Sequence, residues 1–485
     1  MFDPNELAGI RADELLSRAM SASPATEGAL KRDIGLWQGT ALNIIDMVGI
    51  GPFVTLPLIL AAMGGGRALG AWILGAVLAI ADGLVTAELS AELPRAGGSY
   101  AFLREAYGPA RWGRLISFLF LFQIIFSAPL SMASGAIGFS RYLHFVFPEI
   151  PDRWEAPVAS LLCIAVTLLL MRRIGAIGKF SIVLWIGVLA TLGIVIGLGL
   201  PHLKLEAFRF WEAPVVTAPG ILPPAGIFGG LGLALILAVY DYLGYYNVCY
   251  LAEEIVEPTK TIPRVIVVSI LSVAVLYILM NACIVSVLPM QQAMSSKSTV
   301  ADFVAVLAGR PVARLVTGLI LWTAFASVFS LTLGYSRILF AAARDGNFFP
   351  VFAKLHPTEG YPVVALLALG GAASVFSFLN LKVVVSAIVS IRAIIPFIAQ
   401  IAAALVLRKT RPDLARPFRM WLYPLPAFIA LVLWGFVLFS PEKGFKVAGL
   451  AVLGAGIVAY LVTARRKSEW PFTAPASGRG RKETP

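Results

Sequence analysis

Apolar residues in this chain fall into long unbroken runs, not into the alternating or one-faced patterns of soluble elements. The first run, Leu36–Met63, is long enough to cross a bilayer, since about 20 helical residues span a hydrocarbon core of ~30 Å. Its middle, however, reads Val48-Gly49-Ile50-Gly51-Pro52-Phe53. Glycine weakens a helix, and proline lacks an N–H and crowds the carbonyl four residues back. The pattern predicts two half-helices, 36–48 and 53–63, with unwound backbone between them. Lipid cannot satisfy such backbone, which is tolerated only where it lines a protein cavity. The break is therefore a candidate binding site; the alternative is a plain proline kink with ordinary packing.

Further runs fall near 68–91, 113–147, 155–171, 178–200, 224–254, 264–289, 312–341, 362–380, 382–407, 423–440 and 445–463. With the first they make twelve expected spans, which puts both termini on one side. Lys and Arg concentrate in the terminal segments and even-numbered loops, so the positive-inside rule places both termini in the cytoplasm of a multi-pass cell-membrane protein. Pro4–Met20 could form a short amphipathic helix in the N-terminal segment 1–34. The basic tail 464–485 reads as polar cytoplasmic chain, disordered from 466 onward. Arg408-Lys409 with Arg411, and Arg465-Arg466-Lys467, flank membrane ends and read as topology anchors.

Composition agrees. Hydrophobic residues make up 59% of the 485 and charged residues 14%, against about 25% charge in a soluble domain; mean hydropathy is +0.84. This is an all-α polytopic membrane protein. The net charge of +12 belongs to loops and tail, and no nucleic-acid role is expected. Cys163, Cys249 and Cys283 all lie in apolar runs, against a disulfide framework or a metal site.

A second interruption lies in 224–254, where Tyr240-Asp241-Tyr242-Leu243-Gly244-Tyr245 puts a charge and a glycine into an apolar helix. The first and sixth spans run in opposite directions through the membrane. Paired broken segments in two five-span halves point to an inverted-repeat secondary transporter with a midplane site.

Lys31-Arg32-Asp33-Ile34-Gly35-Leu36 leading to Gly49-Ile50-Gly51-Pro52-Phe53 resembles the first span of the amino acid–polyamine–organocation (APC) superfamily. So do Ala87-Glu88-Leu89 followed by Pro94-Arg95-Ala96-Gly97-Gly98-Ser99-Tyr100, Glu253–Pro258 with Ile262-Pro263-Arg264, and Ser336–Leu339 with Ala343–Asn347. The matches stand in order over roughly residues 30–410. The resemblance implies a LeuT-type core of ten spans at 35–410, a 5+5 inverted repeat, plus two peripheral spans at 411–463, moving amino acids or related amines.

The chemistry of the breaks is compatible with that. Half-helix N-termini offer unpaired N–H groups and positive dipole ends, and the Gly49–Gly51 backbone can approach a carboxylate closely. Opposite them, half-helix C-termini expose carbonyls that suit an ammonium. By resemblance, Gly49, Ile50 and Gly51 would hold a substrate carboxylate. Carbonyls of Met47, Tyr240 and Leu243, beside Gly244, would hold the amine, with the Tyr240 ring as a lid. Core packing is the alternative role for Tyr240.

Asp46, Asp82, Asp241 and Arg392 are charges inside predicted spans, and charges there face the protein interior or water. Asp46 and Asp241 each lie within about one turn of a break and are coupling candidates, able to carry a proton or to hold an amine or a cation. The structural alternative is a salt bridge of Asp82 or Asp241 with Arg392. Many proton-coupled members of the superfamily carry a lysine in the fifth span that stands in for a sodium. Here Lys179 begins that span and none follows, which leaves proton coupling through another group, exchange, or sodium. Glu253 and Glu254, beside Lys260 and Arg264, read as a structural or gating network. No HExxH, nucleophile elbow or Gly-rich phosphate loop accompanies His144, His202 or His356, so neither an enzyme nor a cofactor is expected. The alternatives are a polyamine or other cationic-amine transporter and a non-transporting amino-acid sensor.

Overall fold

The interrupted first run lies at the middle of the molecule. A computed structural model of the chain describes residues 32–95, 97–171, 177–209 and 230–472. Pro4–Met20, residues 224–229 of the sixth expected span, and the tail beyond 472 lie outside the described residues. Ordered backbone among them is helical, apart from two isolated bridges, Ile34 with Ile255 and Leu355 with Pro362. Among the described residues ten helical segments are long and apolar enough to cross a membrane, and two shorter apolar helices, Val363–Phe376 and Leu425–Phe439, accompany them.

The first run splits into α1 (Leu36–Val48) and α2 (Gly51–Met63). The second half starts two residues before the expected 53, because proline is tolerated in the first turn of a helix, where its missing N–H has no partner to lose. Then come α3 (Ala68–Glu92), α4 (Ser99–Ala106), α5 (Trp112–Val146), α6 (Glu155–Leu170) and α7 (Ile177–Gly199), which holds Lys179 in its first turn. The sixth run is also broken: α8 (Leu231–Tyr242) ends, the chain turns at Leu243–Tyr246, and a 3-10 segment continues over Asn247–Glu254.

The second half continues with α9 (Pro258–Val287), α10 (Met290–Ser295), α11 (Thr299–Arg344), α12 (Val363–Phe376), α13 (Leu381–Arg392), α14 (Gln400–Thr410), α15 (Leu425–Phe439) and α16 (Lys443–Arg466). The eighth expected span, 312–341, proves to be the second part of α11, which bends at Gly309 (φ +81°). Glycine accepts that φ, and Pro311, two residues on, has no N–H to continue the helix hydrogen bonds across the bend. Between α13 and α14 the backbone widens into a π-helical turn, Ala393–Ala399, around Pro396.

Depth in the fold separates the helices. The apolar window of α1–α2 is 89% buried, and that of α16 only 22%. The interrupted pair is walled chiefly by α7, α8, α9 and α11, while α16 lies outside against α5 and α13. Residues 33–34, entering α1, run beside 254–256, leaving the other broken segment. The Ile34 N–H donates to the Glu254 carbonyl at 3.0 Å, and the Val256 N–H to the Ile34 carbonyl at 2.9 Å.

Two stretches far apart in sequence close one end of the bundle: Asn347 Nδ2 donates to the Tyr100 hydroxyl, and so does Arg104 at 3.1 Å. At α3's last turns Glu88 is buried and holds Arg408 through two contacts of 2.5 and 2.6 Å, and also accepts the Met420 N–H at 2.5 Å. Arg411 pairs with Asp413 and Glu105. Arg408, expected as a topology anchor, fixes α14 to α3.

Candidate functional site

The two breaks touch. Gly244 has φ +119°, open to glycine and strained for other residues, and a β-carbon there would come within 2.9 Å of the Asp46 carbonyl carbon. Tyr277, from α9, ties them further: its hydroxyl lies 2.8 Å from the Met47 carbonyl oxygen and 3.2 Å from that of Asp241. One hydroxyl thus bridges the ends of α1 and α8.

Between the breaks lies a cavity. Met47, Gly49, Ile50, Gly51, Tyr240, Leu243 and Gly244 all line it, as do Asp46, Asp241 and Arg392. Asp82 is not in its wall; it is fully buried on α3, where it accepts a hydrogen bond from the Tyr245 hydroxyl.

The backbone groups are not equally free. The Gly49 N–H closes α1 by donating to the Ile45 carbonyl at 3.2 Å. Gly51 opens α2, where the first N–H groups have no intrahelical acceptor, and Pro52 contributes none. The donors suited to an anion are therefore those of Ile50 and Gly51. On the acceptor side, the Met47 carbonyl takes Tyr277 and the Tyr240 carbonyl takes the Leu243 N–H at 3.2 Å. Each retains one lone pair.

The charged side chains depart from the expected pairings. Thr55 Oγ1 donates to Asp241 at 2.6 Å, and Asn247 Nδ2 to Asp46 at 3.0 Å. Arg392 donates to the Tyr246 hydroxyl and to Ser131 Oγ, both at 3.1 Å. Neither Asp82 nor Asp241 bridges to Arg392; each accepts from a hydroxyl instead, Asp82 from Tyr245 and Asp241 from Thr55. Likewise Glu253 and Glu254 do not engage Lys260 or Arg264: Glu253 faces Arg344 at 3.4 Å, Glu254 faces Arg337 at 3.5 Å, and Lys260 turns to Glu257.

Tyr240 reaches across the cavity, its hydroxyl donating to Ser134 Oγ at 2.7 Å. Reasoning from the two breaks missed the facing wall: Ser131, Ser134, Ser327 and Tyr335 line the cavity from α5 and α11. The signal was present in part, since Ser127, Ser131 and Ser134 recur at helical spacing along one face of an apolar span.

Backbone N–H groups, carbonyl ends and side-chain acids thus line one cavity, chemistry that suits a small zwitterion. The family model described as "Amino acid permease" matches residues 34–461. The chain is 29% identical to the human Asc-type amino acid transporter 1, over 88% of this chain and 80% of that protein. It is 27% identical to the rat large neutral amino acids transporter small subunit 2, over 93% of this chain and 84% of the other. The serine/threonine exchanger SteT of Bacillus subtilis is 25% identical, over 91% and 99%. The chain belongs to the amino acid permease family, within the APC superfamily.

Proposed function

We propose that the protein is a secondary active transporter that moves amino acids across the cell membrane by alternating access. In this reading ten spans over 35–410 form a LeuT-type core of two inverted five-span repeats, 411–463 adds two peripheral spans, and 1–34 and 464–485 are cytoplasmic. The α-carboxylate sits at the Ile50 and Gly51 N–H groups. The ammonium faces the carbonyl ends at Met47, Tyr240 and Leu243 with Asp46 nearby, and Tyr240 covers the substrate. A proton carried by Asp241, or obligatory exchange, drives the cycle.

The observation that carries the reading is the contact between the two interruptions over one cavity. Relatives named as amino acid transporters, and one named as an exchanger, support it. A cationic-amine substrate is the second reading, favoured by Asp241, whose carboxylate oxygen would lie 2.5 Å from a β-carbon on Gly51. Arg392 in the same wall counts against a polycation, which it would repel.

Uptake of labelled amino acids and of putrescine into proteoliposomes, with counterflow, tests the proposal. Amino acids should enter and exchange while putrescine does not; binding without entry would identify a sensor. Gly51→Val should abolish amino-acid binding, because its side chain would displace Asp241 and Tyr240 into the site. Near-normal affinity in that variant would place the substrate elsewhere.

A further inference from the structure

Arg392 ends α13 at the cavity wall with only neutral groups around its charge. Its two terminal nitrogens donate to hydroxyl oxygens of Tyr246 and Ser131, and its guanidinium carbon lies 5.3 Å from the centre of the Tyr335 ring. The residue is 4% exposed. Asp46, Asp82 and Asp241 are each held by another group: Asp46 by Asn247, Asp82 by Tyr245 and Asp241 by Thr55. Among the described residues Arg392 has no ion pair.

A guanidinium stays charged in proteins, and a buried charge is unfavourable unless an opposite charge and hydrogen bonds compensate it. Hydroxyl oxygens and the face of an aromatic ring offset part of the cost. None of them neutralises the charge. The compensating anion can instead arrive with the cargo, because Arg392, Ser131, Tyr246 and Tyr335 all line the cavity. The π-helical turn that begins at Ala393 sets the backbone there apart from a regular helix, a feature frequent at functional sites.

We propose that the cavity selects an acidic amino acid, whose side-chain carboxylate completes an ion pair with Arg392. The inference rests on the amino-acid reading above. With the α-carboxylate at Ile50 and Gly51 and the ammonium at the carbonyl ends, Arg392 is the charge left for the substrate's side chain. A carboxylate offers two oxygens to the planar guanidinium fork, and Tyr335 lines the same cavity. A neutral side chain would leave the guanidinium without a counter-charge, and sites built around a buried polar contact reject analogues that lack it.

The test is competition in proteoliposomes reconstituted with the full chain, using L-glutamate and L-aspartate against L-glutamine, L-asparagine and L-leucine. The parent protein should prefer glutamate over glutamine by at least tenfold in apparent affinity. Arg392→Gln should reduce that preference at least tenfold, and Arg392→Lys should keep part of it. If Arg392→Gln fails to fold, Ser131→Ala should weaken glutamate more than glutamine. A parent that handles neutral amino acids as well as acidic ones overturns the proposal and leaves the transporter reading standing. So does an Arg392→Gln protein with unchanged preference, or, where that variant does not fold, a Ser131→Ala protein with unchanged preference. A folded parent that neither binds nor moves any amino acid of the panel ends both.

Discussion

Gly244 packs its backbone against Asp46 so closely that a β-carbon on it would lie 2.9 Å from the Asp46 carbonyl carbon and 3.0 Å from the Met47 nitrogen. The two interrupted segments therefore meet backbone to backbone, and the contact depends on the absence of a side chain. Gly244 also occupies φ +119°, where non-glycine residues cost of order 1–3 kcal/mol. Gly244→Ala should lower initial uptake by at least tenfold while membrane insertion persists. Gly318→Ala is the control, since nothing lies within 4 Å of its added carbon. Equal uptake by the two variants would show that the contact between the breaks is dispensable.

Much of this arrangement can be read from residue order, for a physical reason. Apolar runs and their interruptions are local features, so Gly49, Gly51 and Pro52 betray the first break and Asp241 with Gly244 the second. Pairings between distant spans leave no local trace. Nothing near Glu88 announces Arg408, 320 positions away, and Tyr277 looks like any aromatic in an apolar helix until its hydroxyl is seen between Met47 and Asp241. Arg392 shows the same limit from the other side. Its charge is obvious in the chain, but its neutral surroundings emerge only when α5 and α11 close over it.

The hydroxyl of Tyr240 changes what a lid substitution should do. Ring coverage alone would make Tyr240→Phe harmless, but the hydroxyl donates to Ser134 Oγ at 2.7 Å. A net hydrogen bond contributes about 0.5–1.5 kcal/mol. Tyr240→Phe should weaken substrate binding by roughly 2–10-fold, and Tyr240→Ala by considerably more. Ser134→Ala should match Tyr240→Phe, and the double variant should add little, because contacting residues are non-additive. Strict additivity in a thermodynamic cycle would mean that the bond does not position the ring.

Two ion pairs predict opposite sensitivities of stability. Glu88, 1% exposed at its side chain, holds Arg408, 20% exposed, at 2.5 Å, whereas Lys260 and Glu257 pair at 3.2 Å with both side chains more than 60% exposed. Removing one partner of a buried pair leaves an uncompensated charge and costs about 3–5 kcal/mol, against roughly 0–1 kcal/mol at the surface. Glu88→Ala also frees the buried Met420 N–H. Thermal unfolding in detergent should therefore show a large fall in Tm for Glu88→Ala and almost none for Glu257→Ala. Comparable falls would mean that the α3–α14 tie contributes little.

Coupling is the property on which Asp241 and Asp46 compete. Asp241 is 1% exposed, takes one hydrogen bond from Thr55 and stands against Gly51. It is thus next to the N–H donors assigned to the substrate carboxylate. A carboxylate there would repel that group, while a protonated Asp241 would not, so loading the proton and loading the substrate favour one another. Asp46 is held by Asn247 on the other side of the break, nearer the carbonyl ends where an ammonium would sit. One charge moving through 100 mV is worth ~2.3 kcal/mol, which at about 1.4 kcal/mol per decade supports roughly 40-fold accumulation. Asparagine preserves the shape of Asp241 and can still accept from Thr55, but it cannot carry the proton. In Asp241→Asn the ratio of gradient-driven uptake to counterflow should fall at least tenfold, and Asp46→Asn should instead raise the apparent KM. An unchanged ratio in Asp241→Asn removes it as the proton carrier, and an unchanged ratio in both variants identifies an exchanger or a sodium-driven cycle.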